Sequence, residues 1–159
     1  MTDLLIHQDR AQEVADLRGW FTQILGSDED ASELMRRCER LEVGAGDIIV
    51  RVGEPADSMH FILDGRVGVM ISHDHGGVSR VRSLGRYTII GQMGLVLKAP
   101  RSATIQAELE SVLYVLRNEQ FKAVKRDNPL LGQRLLTFFV SVMAERLHYA
   151  NRMIGVLRR

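Results

Sequence analysis

The sequence predicts a mixed α and β protein, in which an antiparallel β-roll of the double-stranded, jelly-roll-like kind is flanked by N-terminal and C-terminal helices. Short β-branched runs separated by glycine fill the middle of the chain, where ten of the fourteen glycines lie between Gly44 and Gly94. On both sides of this region, apolar residues recur at the spacing of an amphipathic helix. The whole chain, residues 1–159, is expected to form a single domain.

The bulk properties limit the classes of protein to which the chain can belong. A chain of 159 residues is long enough for its own core, and its single cysteine, Cys38, excludes an internal disulfide and fits a reducing, cytoplasmic compartment. The net charge of +1 provides no basic field for nucleic acid or an anionic membrane. The longest apolar stretch, from Leu135 to Ala144, is about half of the roughly 20 residues that a membrane-spanning helix needs. We therefore expect no nucleic-acid partner and no membrane insertion of this chain.

The first predicted elements are two helices over residues 7–36. Gly26 can end the first helix, and Ser27 followed by three acidic residues can begin the second. Leu34 and Met35 of the second helix are expected to face the core. The apolar positions that predict the first helix are Val14, Leu17, Phe21, Ile24 and Leu25.

The β-roll is predicted over residues 38–117. Its strands are expected at about 38–43, 47–52, 59–64, 66–72, 78–84, 102–107 and 111–117.

Helices return over residues 118–157. Asn118 is a plausible cap for a helix that ends near Arg126, and Pro129 suits the start of a long helix that reaches Leu157. The long helix has more apolar surface than packing on one roll requires. Its first half is expected to pack on the roll, and its second half to be exposed as a lid or a homodimer surface.

The most informative segment is residues 90–105, which contains the parts of a small anion pocket. Gly91 lets the backbone approach a ligand closely, and the N–H groups of Met93 and Gly94 can lie at the start of a helical turn. Arg101 then offers a fork of donors that suits a phosphate, and Ser102 can add a hydroxyl group. This segment therefore predicts a phosphate-binding site.

The order of residues in this segment resembles the phosphate-binding cassette of the cyclic-nucleotide-binding domain family, which usually reads Phe-Gly-Glu-Leu-Ala followed by Pro-Arg-Ser-Ala. The resemblance extends over roughly residues 41–126 and includes Gly53 and Gly65 at turns of the first hairpins. It implies a β-roll fold, a cyclic nucleotide as ligand, and a regulatory role rather than catalysis. The ligand-binding residues that it implies are Gly91, Gln92, Met93, Gly94, Arg101, Ser102 and Ala103.

One cassette residue departs from the family pattern. Gln92 stands where the family has a glutamate that accepts from the ribose 2′-hydroxyl, and a glutamine accepts without the negative charge. The lost charge is worth roughly 1 kcal/mol, or about fivefold in affinity. Two functions stay open: a sensor for a cyclic nucleotide, with cAMP favoured by Ser102, that signals through its C-terminal helices, or an interaction and dimerisation module with a vestigial pocket. Tyr87 and Thr88, where the family often has Gly-Asp, favour the second.

Within the family, the chain resembles most the domain at the cytoplasmic C-terminus of bacterial SulP-type anion transporters. Their cassette typically reads Gly-Glu-Met-Gly-Leu, and residues 4–18 resemble the end of the cytoplasmic domain that precedes it. This resemblance implies a transporter core as a partner, at the cytoplasmic side of the inner membrane.

His73 and His75 raise the alternative of a metal site, since two histidines at this spacing share one face of a strand. Metalloenzymes of the cupin type resemble Gly-x5-His-x-His-x3or4-Glu, but here Val67 takes the glycine position and Ser79 or Arg80 the glutamate position. The histidines are therefore predicted to lie at an exposed hairpin tip, and we expect no metal, no cofactor and no catalytic residues.

Overall fold

The structure is a computed structural model that describes residues 2–158, with the side chains of residues 9–158. Helices α1 (Thr2–Leu25) and α2 (Asp28–Arg37) precede the strands, and helices α4 (Asn118–Asp127) and α5 (Pro129–Leu157) follow them. The strands are β1 (Glu39–Val43), β2 (Ile48–Val50), β3 (Ser58–Asp64), β4 (Val67–Ser72), β5 (Val78–Leu84), β6 (Thr88–Ile90), β7 (Thr104–Ala107) and β8 (Ser111–Arg117). A short helix, α3 (Gln92–Leu97), lies between β6 and β7.

Two four-stranded antiparallel sheets form the roll, in the orders β1-β8-β3-β6 and β2-β7-β4-β5. Alternate residues of β3 face opposite sides of the first sheet. Ile62 belongs to the core between the two sheets, while Met59 and Phe61 belong to a second core under the helices. The predicted fold class, a β-roll flanked by helices, is confirmed.

Three strand predictions differ from the structure. The strand predicted at 47–52 is limited to Ile48–Val50. Strand β6 was not predicted, because three residues are too short to give an alternating pattern. The predicted strand 102–107 begins only at Thr104, since the two residues before it form a bend beside α3.

The predicted caps are partly correct. Gly26, with a φ of 73°, ends α1, and the Ser27 side chain accepts from the N–H of Asp30 at 3.2 Å. The prediction for Asn118 is wrong, because Asn118 is the first helical residue and its N–H donates to the Asp57 carbonyl at 2.7 Å. Asn128 caps α5 instead, directly before Pro129.

The predicted inner face of α1 is also partly correct. Leu17, Phe21 and Leu25 are buried in the core, as expected, whereas Val14 is 41% exposed and lies on the outer face. Trp20, which was not predicted, is buried there and contacts the ring of Phe61 edge to face, at 5.7 Å between centroids. On α2, Leu34 is buried and Met35 packs at the edge of the same core.

The two halves of helix α5 differ in how deeply their side chains are buried. Leu131, Leu135 and Phe139 are buried in the core under the helices, which they share with residues of α1, α4 and the first sheet, and α5 contacts mainly α1 and α4 there. From Val140 onward most side chains are exposed, as predicted. Within residues 2–158, no helix is long and apolar enough to cross a lipid bilayer.

Candidate functional site

The predicted cassette folds around a cavity of about 190 Å³ between α3 and the second sheet. The structure brings together at this cavity all seven residues predicted from the sequence, which are Gly91, Gln92, Met93, Gly94, Arg101, Ser102 and Ala103. Their role in binding a ligand stays a prediction.

Two glycines allow α3 to approach its neighbours. Gly91 has a φ of 82°, and a Cβ atom there would lie 2.5 Å from Nη1 of Arg101 and 3.1 Å from the carbonyl oxygen of Ser58. A Cβ atom at Gly94 would lie 2.1 Å from the Cβ of Ala56. The distances of 2.5 Å at Gly91 and 2.1 Å at Gly94 are too short for a side chain unless the neighbouring atoms move. The two glycines therefore determine how closely α3 lies to Arg101 and Ala56.

Arg101 is held from its backbone to its guanidinium group. Its N–H donates to the carbonyl of Glu54 at 2.9 Å, and its carbonyl accepts from the N–H of Gly53 at 2.8 Å. The side chain is 7% exposed, and its Nη2 donates to Oγ of Ser58 at 3.1 Å. Its Nη1 is buried, lies beside Gly91 and has no hydrogen-bond partner among the described residues. A buried charged donor without a partner is rare in folded proteins and marks a site for an acceptor.

The charges near Arg101 leave it only partly compensated. Burial lowers the pKa of the Arg101 guanidinium, and Asp57 and Glu54 oppose that effect. The Asp57 carboxylate is 4.0 Å from Nη2 and 73% exposed, so water screens most of its attraction. An arginine keeps its charge in proteins, and the arrangement therefore favours an anion that reaches Nη1.

The rest of the cavity is mainly apolar. Gln92 is buried at its edge with 3% exposure and offers an amide. The apolar wall comes from both sheets and consists of Val50, Val69, Leu84, Ile90 and Ile105. Val50, Val69 and Leu84 were predicted only as strand residues, and Ile90 and Ile105 only as the two ends of the cassette segment, the latter also within a strand, because nothing local in the sequence tells which strand positions meet at one cavity. An apolar group attached to an anion fits such a lining.

Arg146 of α5 also lines the cavity, although the sequence placed it in the exposed half of its helix. Its Nη2 donates to Oγ1 of Thr88 at 3.2 Å and to the carbonyl of Ile89. Burial, followed by the charge of Arg82, lowers the pKa of Arg146. Arg82 itself stacks over Tyr149 at 5.1 Å. These contacts join α5 to the edge of the roll next to the cassette, and no sequence signal pointed to them.

His60 is buried in the roll close to the cassette. It lies on β3, two residues after Ser58 and therefore on the same face, and its Nδ1 has no hydrogen-bond partner among the described residues. Burial, followed by the charges of Arg101 and Arg117, lowers its pKa to about 4, and the charge of Asp57 opposes that effect. His60 is therefore neutral at physiological pH and adds no charge of its own beside Arg101.

The two histidines considered for a metal lie at the tip of the β4–β5 hairpin. Both are exposed, and Nε2 of His73 contacts Oγ of Ser79 at 2.7 Å. In the part of the chain that the structure describes, no group of three or more potential ligands is arranged to hold a metal ion.

Comparison with known proteins agrees with this geometry. Residues 40–128 match the sequence profile of the cyclic nucleotide-binding domain family. A cAMP-dependent protein kinase regulatory subunit from Blastocladiella emersonii is 26% identical over 71% of this chain, and a cyclic nucleotide-gated potassium channel from Mesorhizobium japonicum is 31% identical over 64%. The chain spans only 28% and 26% of those two proteins. The crystal structure of a cyclic nucleotide-binding domain from Methylobacillus flagellatus KT has the same fold, with a TM-score of 0.80, 22% identity, and 87% and 83% of the two chains covered.

Proposed function

The chain belongs to the cyclic nucleotide-binding domain family, and we propose that it is a sensor that binds a cyclic nucleotide, with cAMP preferred, in the cavity beside α3. The observation that carries this proposal is the buried Nη1 of Arg101, a charged donor that has no hydrogen-bond partner in the part of the chain that the structure describes. In a vestigial pocket, nothing would maintain a buried arginine in this state, because the unsatisfied donor costs about 1–3 kcal/mol or more.

Each part of the ligand has a counterpart in the cavity. The cyclic phosphate would accept from Nη1 of Arg101, from the Ser102 hydroxyl and from backbone N–H groups at the start of α3. The ribose would face Gln92, whose amide oxygen accepts from the 2′-hydroxyl. The base would lie against the apolar wall, where its ring surface leaves water.

Signalling follows from the contact between α5 and the roll. Arg146 lines the cavity and donates hydrogen bonds to Thr88 and to the Ile89 carbonyl. A ligand that contacts Arg146 would therefore change the free energy of the arrangement in which α5 lies against the roll. A ligand biases the helix only by the difference in its affinity for the two positions, typically about 1–3 kcal/mol. We propose that α5 transmits occupancy in this way.

The nucleotide and the attached protein are further parts of the proposal. The preference for cAMP is supported by Ser102 in the cassette and by similarity to a protein named as a cAMP-dependent protein kinase regulatory subunit. The cassette order Gly-Gln-Met-Gly-Leu supports a SulP-type transporter as the regulated module, and the single cysteine supports a cytoplasmic location. Similarity to a nucleotide-gated potassium channel supports control of a transport protein more generally.

Gln92 favours a second candidate function, an interaction module with a pocket that no longer binds nucleotide. The amide at this position removes the charge that the family uses toward the ribose. Tyr87, which replaces the glycine usual in the family, favours the same candidate. Its backbone has a φ of 60°, a conformation that suits glycine. The centroid of its ring lies 5.4 Å from that of Trp20.

Calorimetric titration with cAMP and with cGMP separates the two functions. We expect cAMP to bind the wild-type chain, and Arg101→Ala to weaken binding at least about 30-fold, since truncating one side of a buried charge pair costs about 2–5 kcal/mol. Arg101→Lys should rescue poorly because it lacks the fork. Arg66→Ala removes an arginine that is paired with Glu108 and does not line the cavity, and it should leave affinity unchanged. No binding to the wild type, or equal binding to Arg101→Ala, would contradict the proposal.

A further inference from the structure

Arg146 borders a second, larger cavity as well as the one beside α3. The second cavity has a volume of about 830 Å³ and lies between α1 and α5, next to β5 and β6. We call it the cleft, and its main lining residues are Gly19, Trp20, Ile24, Arg82, Tyr87 and Phe138. Small-molecule sites have volumes of about 300–1,000 Å³, so the cleft has the size of a ligand site. Among the described residues, only Arg146 lines both cavities.

Aromatic rings form one side of the cleft. Trp20 is 6% exposed and Tyr87 is 47% exposed, with 5.4 Å between the centroids of their rings. Tyr87 keeps a φ of 60°, so the chain presents an aromatic ring to the cleft at a position where the backbone itself suits glycine. An aromatic surface favours contact with the apolar part of a ligand, because both surfaces lose water.

Gly19 leaves room beside Trp20. It lies inside α1, a helix of 24 residues, where a glycine is less favourable than an alanine. A Cβ atom at Gly19 would meet nothing within 4 Å. Packing within the described part of the chain therefore does not require a glycine here, and the missing side chain keeps the cleft wide.

The cleft also contains a cation without a paired carboxylate. The guanidinium of Arg82 lies over the ring of Tyr149, 5.1 Å from its centroid, and in the part of the chain that is described it makes no hydrogen bond or ion pair. Arg146 is close to it, since the charge of Arg82 acts after burial to lower the pKa of Arg146. The acceptors that Arg146 reaches, Thr88 and the Ile89 carbonyl, are uncharged. Two neighbouring guanidinium groups repel each other, and an anion beside them offsets that repulsion.

The two carboxylates in the lining do not neutralise Arg82. Asp16 is paired with Arg86, with 3.7 Å between Oδ2 and Nη2. Glu145 opposes the lowering of the pKa of Arg146, but it is exposed, so water screens its attraction. The cleft therefore combines an aromatic side with a cation that can accept an anionic partner.

We propose that the cleft is a second binding site of this chain, for a small organic anion with an apolar body. The body would lie against Trp20 and Tyr87, and the anionic group would accept from the guanidinium of Arg82. A simple inorganic anion would leave the aromatic side in water, and a neutral apolar molecule would leave Arg82 without a partner. Both features together therefore define the class of ligand.

Fluorescence titration of the nucleotide-free chain with 8-anilinonaphthalene-1-sulfonate tests the proposal, because this probe joins an apolar aromatic body to one negative charge. Trp20 is the single tryptophan of the chain, so energy transfer from Trp20 reports a probe bound near it. We expect saturable binding of one probe per chain with this transfer. Titration without saturation, or without energy transfer, would overturn the proposal.

Arg82→Gln tests the anionic contact. It should weaken binding of the sulfonate about tenfold, since a hydrogen bond to a charged group is lost. It should leave binding of N-phenyl-1-naphthylamine unchanged, because that probe has the same rings without the sulfonate. Arg80→Gln is the matched control, since Arg80 lies on the same strand, is paired with Glu108 and does not line the cleft. Equal effects of Arg82→Gln and Arg80→Gln, or a signal that Arg101→Ala abolishes, would overturn the proposal.

Gly19→Leu tests the shape of the cleft. Its Cβ atom has free space, and both leucine and alanine favour a helix over glycine, so Gly19→Leu and Gly19→Ala should melt no lower than the wild type. The leucine side chain would fill the space beside Trp20 and should weaken probe binding at least about tenfold. Gly19→Ala, with a single methyl group, should have a much smaller effect. Equal affinities of the wild type and Gly19→Leu would overturn the proposal. These experiments use no nucleotide, so their failure leaves the proposed sensor untouched.

Discussion

Gly91→Ala tests whether the cavity can bind a ligand only because α3 lies close to Arg101. A Cβ atom at Gly91 would lie 2.5 Å from Nη1 of Arg101, and the residue has a φ of 82°. Gly76 is a matched control, because its φ is 85° and a Cβ atom there meets nothing within 4 Å. The two substitutions therefore share the backbone cost and differ in the contact with Arg101.

The shared backbone cost is about 1–2 kcal/mol, the penalty of the left-handed conformation for a residue with a Cβ atom. Gly91→Ala must in addition move the guanidinium, which breaks the bond from Nη2 to Ser58 at 3.1 Å. A hydrogen bond to a charged group contributes about 1.5–3 kcal/mol. We therefore expect Gly91→Ala to lower the free energy of unfolding by about 1.5–3 kcal/mol more than Gly76→Ala does.

Urea denaturation measures the two stabilities, and calorimetry measures the affinity for cAMP. Gly91→Ala should lose at least about tenfold in affinity, since the displaced donor no longer meets the phosphate. Gly76→Ala, at the hairpin tip, should bind as the wild type does. Equal losses of stability and equal affinities in the two variants would refute the reasoning that Gly91 positions Arg101.

Two further predictions concern Gln92 and His60. Gln92→Glu should tighten binding of cAMP roughly fivefold. It should give no gain with 2′-deoxy-cAMP, because that ligand lacks the hydroxyl donor. Equal changes in affinity for both ligands in calorimetry would mean that residue 92 does not face the 2′-hydroxyl. The pKa of His60 is about 4 in the fold against 6.5 ordinarily, so the unfolded chain takes up the proton first as the pH falls. The stability that neutral His60 contributes is present above about pH 6.5 and is lost toward pH 4, by about 2 kcal/mol at pH 5. Urea denaturation at pH 7 and 5 should give His60→Gln a smaller loss than the wild type, and equal losses would contradict the assignment.

The sequence was most informative where the chemistry is local. The cassette needs a glycine, a short helix and an arginine within one segment, so its seven residues could be named before their positions were known. The strands could be located from alternation and glycine, except for β6, which has three residues. Asn118 was assigned as a cap from residue type alone, but the N–H donates to Asp57, a tertiary partner.

The parts of the site that sequence reasoning missed depend on distant elements. The apolar wall combines residues of several strands, and Arg146 reaches it from the C-terminal helix. The same limit applies to α5 itself, where the surplus of apolar residues indicated an interaction surface without its location. Phe139 was as good a candidate for that surface as Leu147, yet Phe139 is 1% exposed and Leu147 is 63% exposed. A charge at Phe139 would unfold the domain rather than separate two copies.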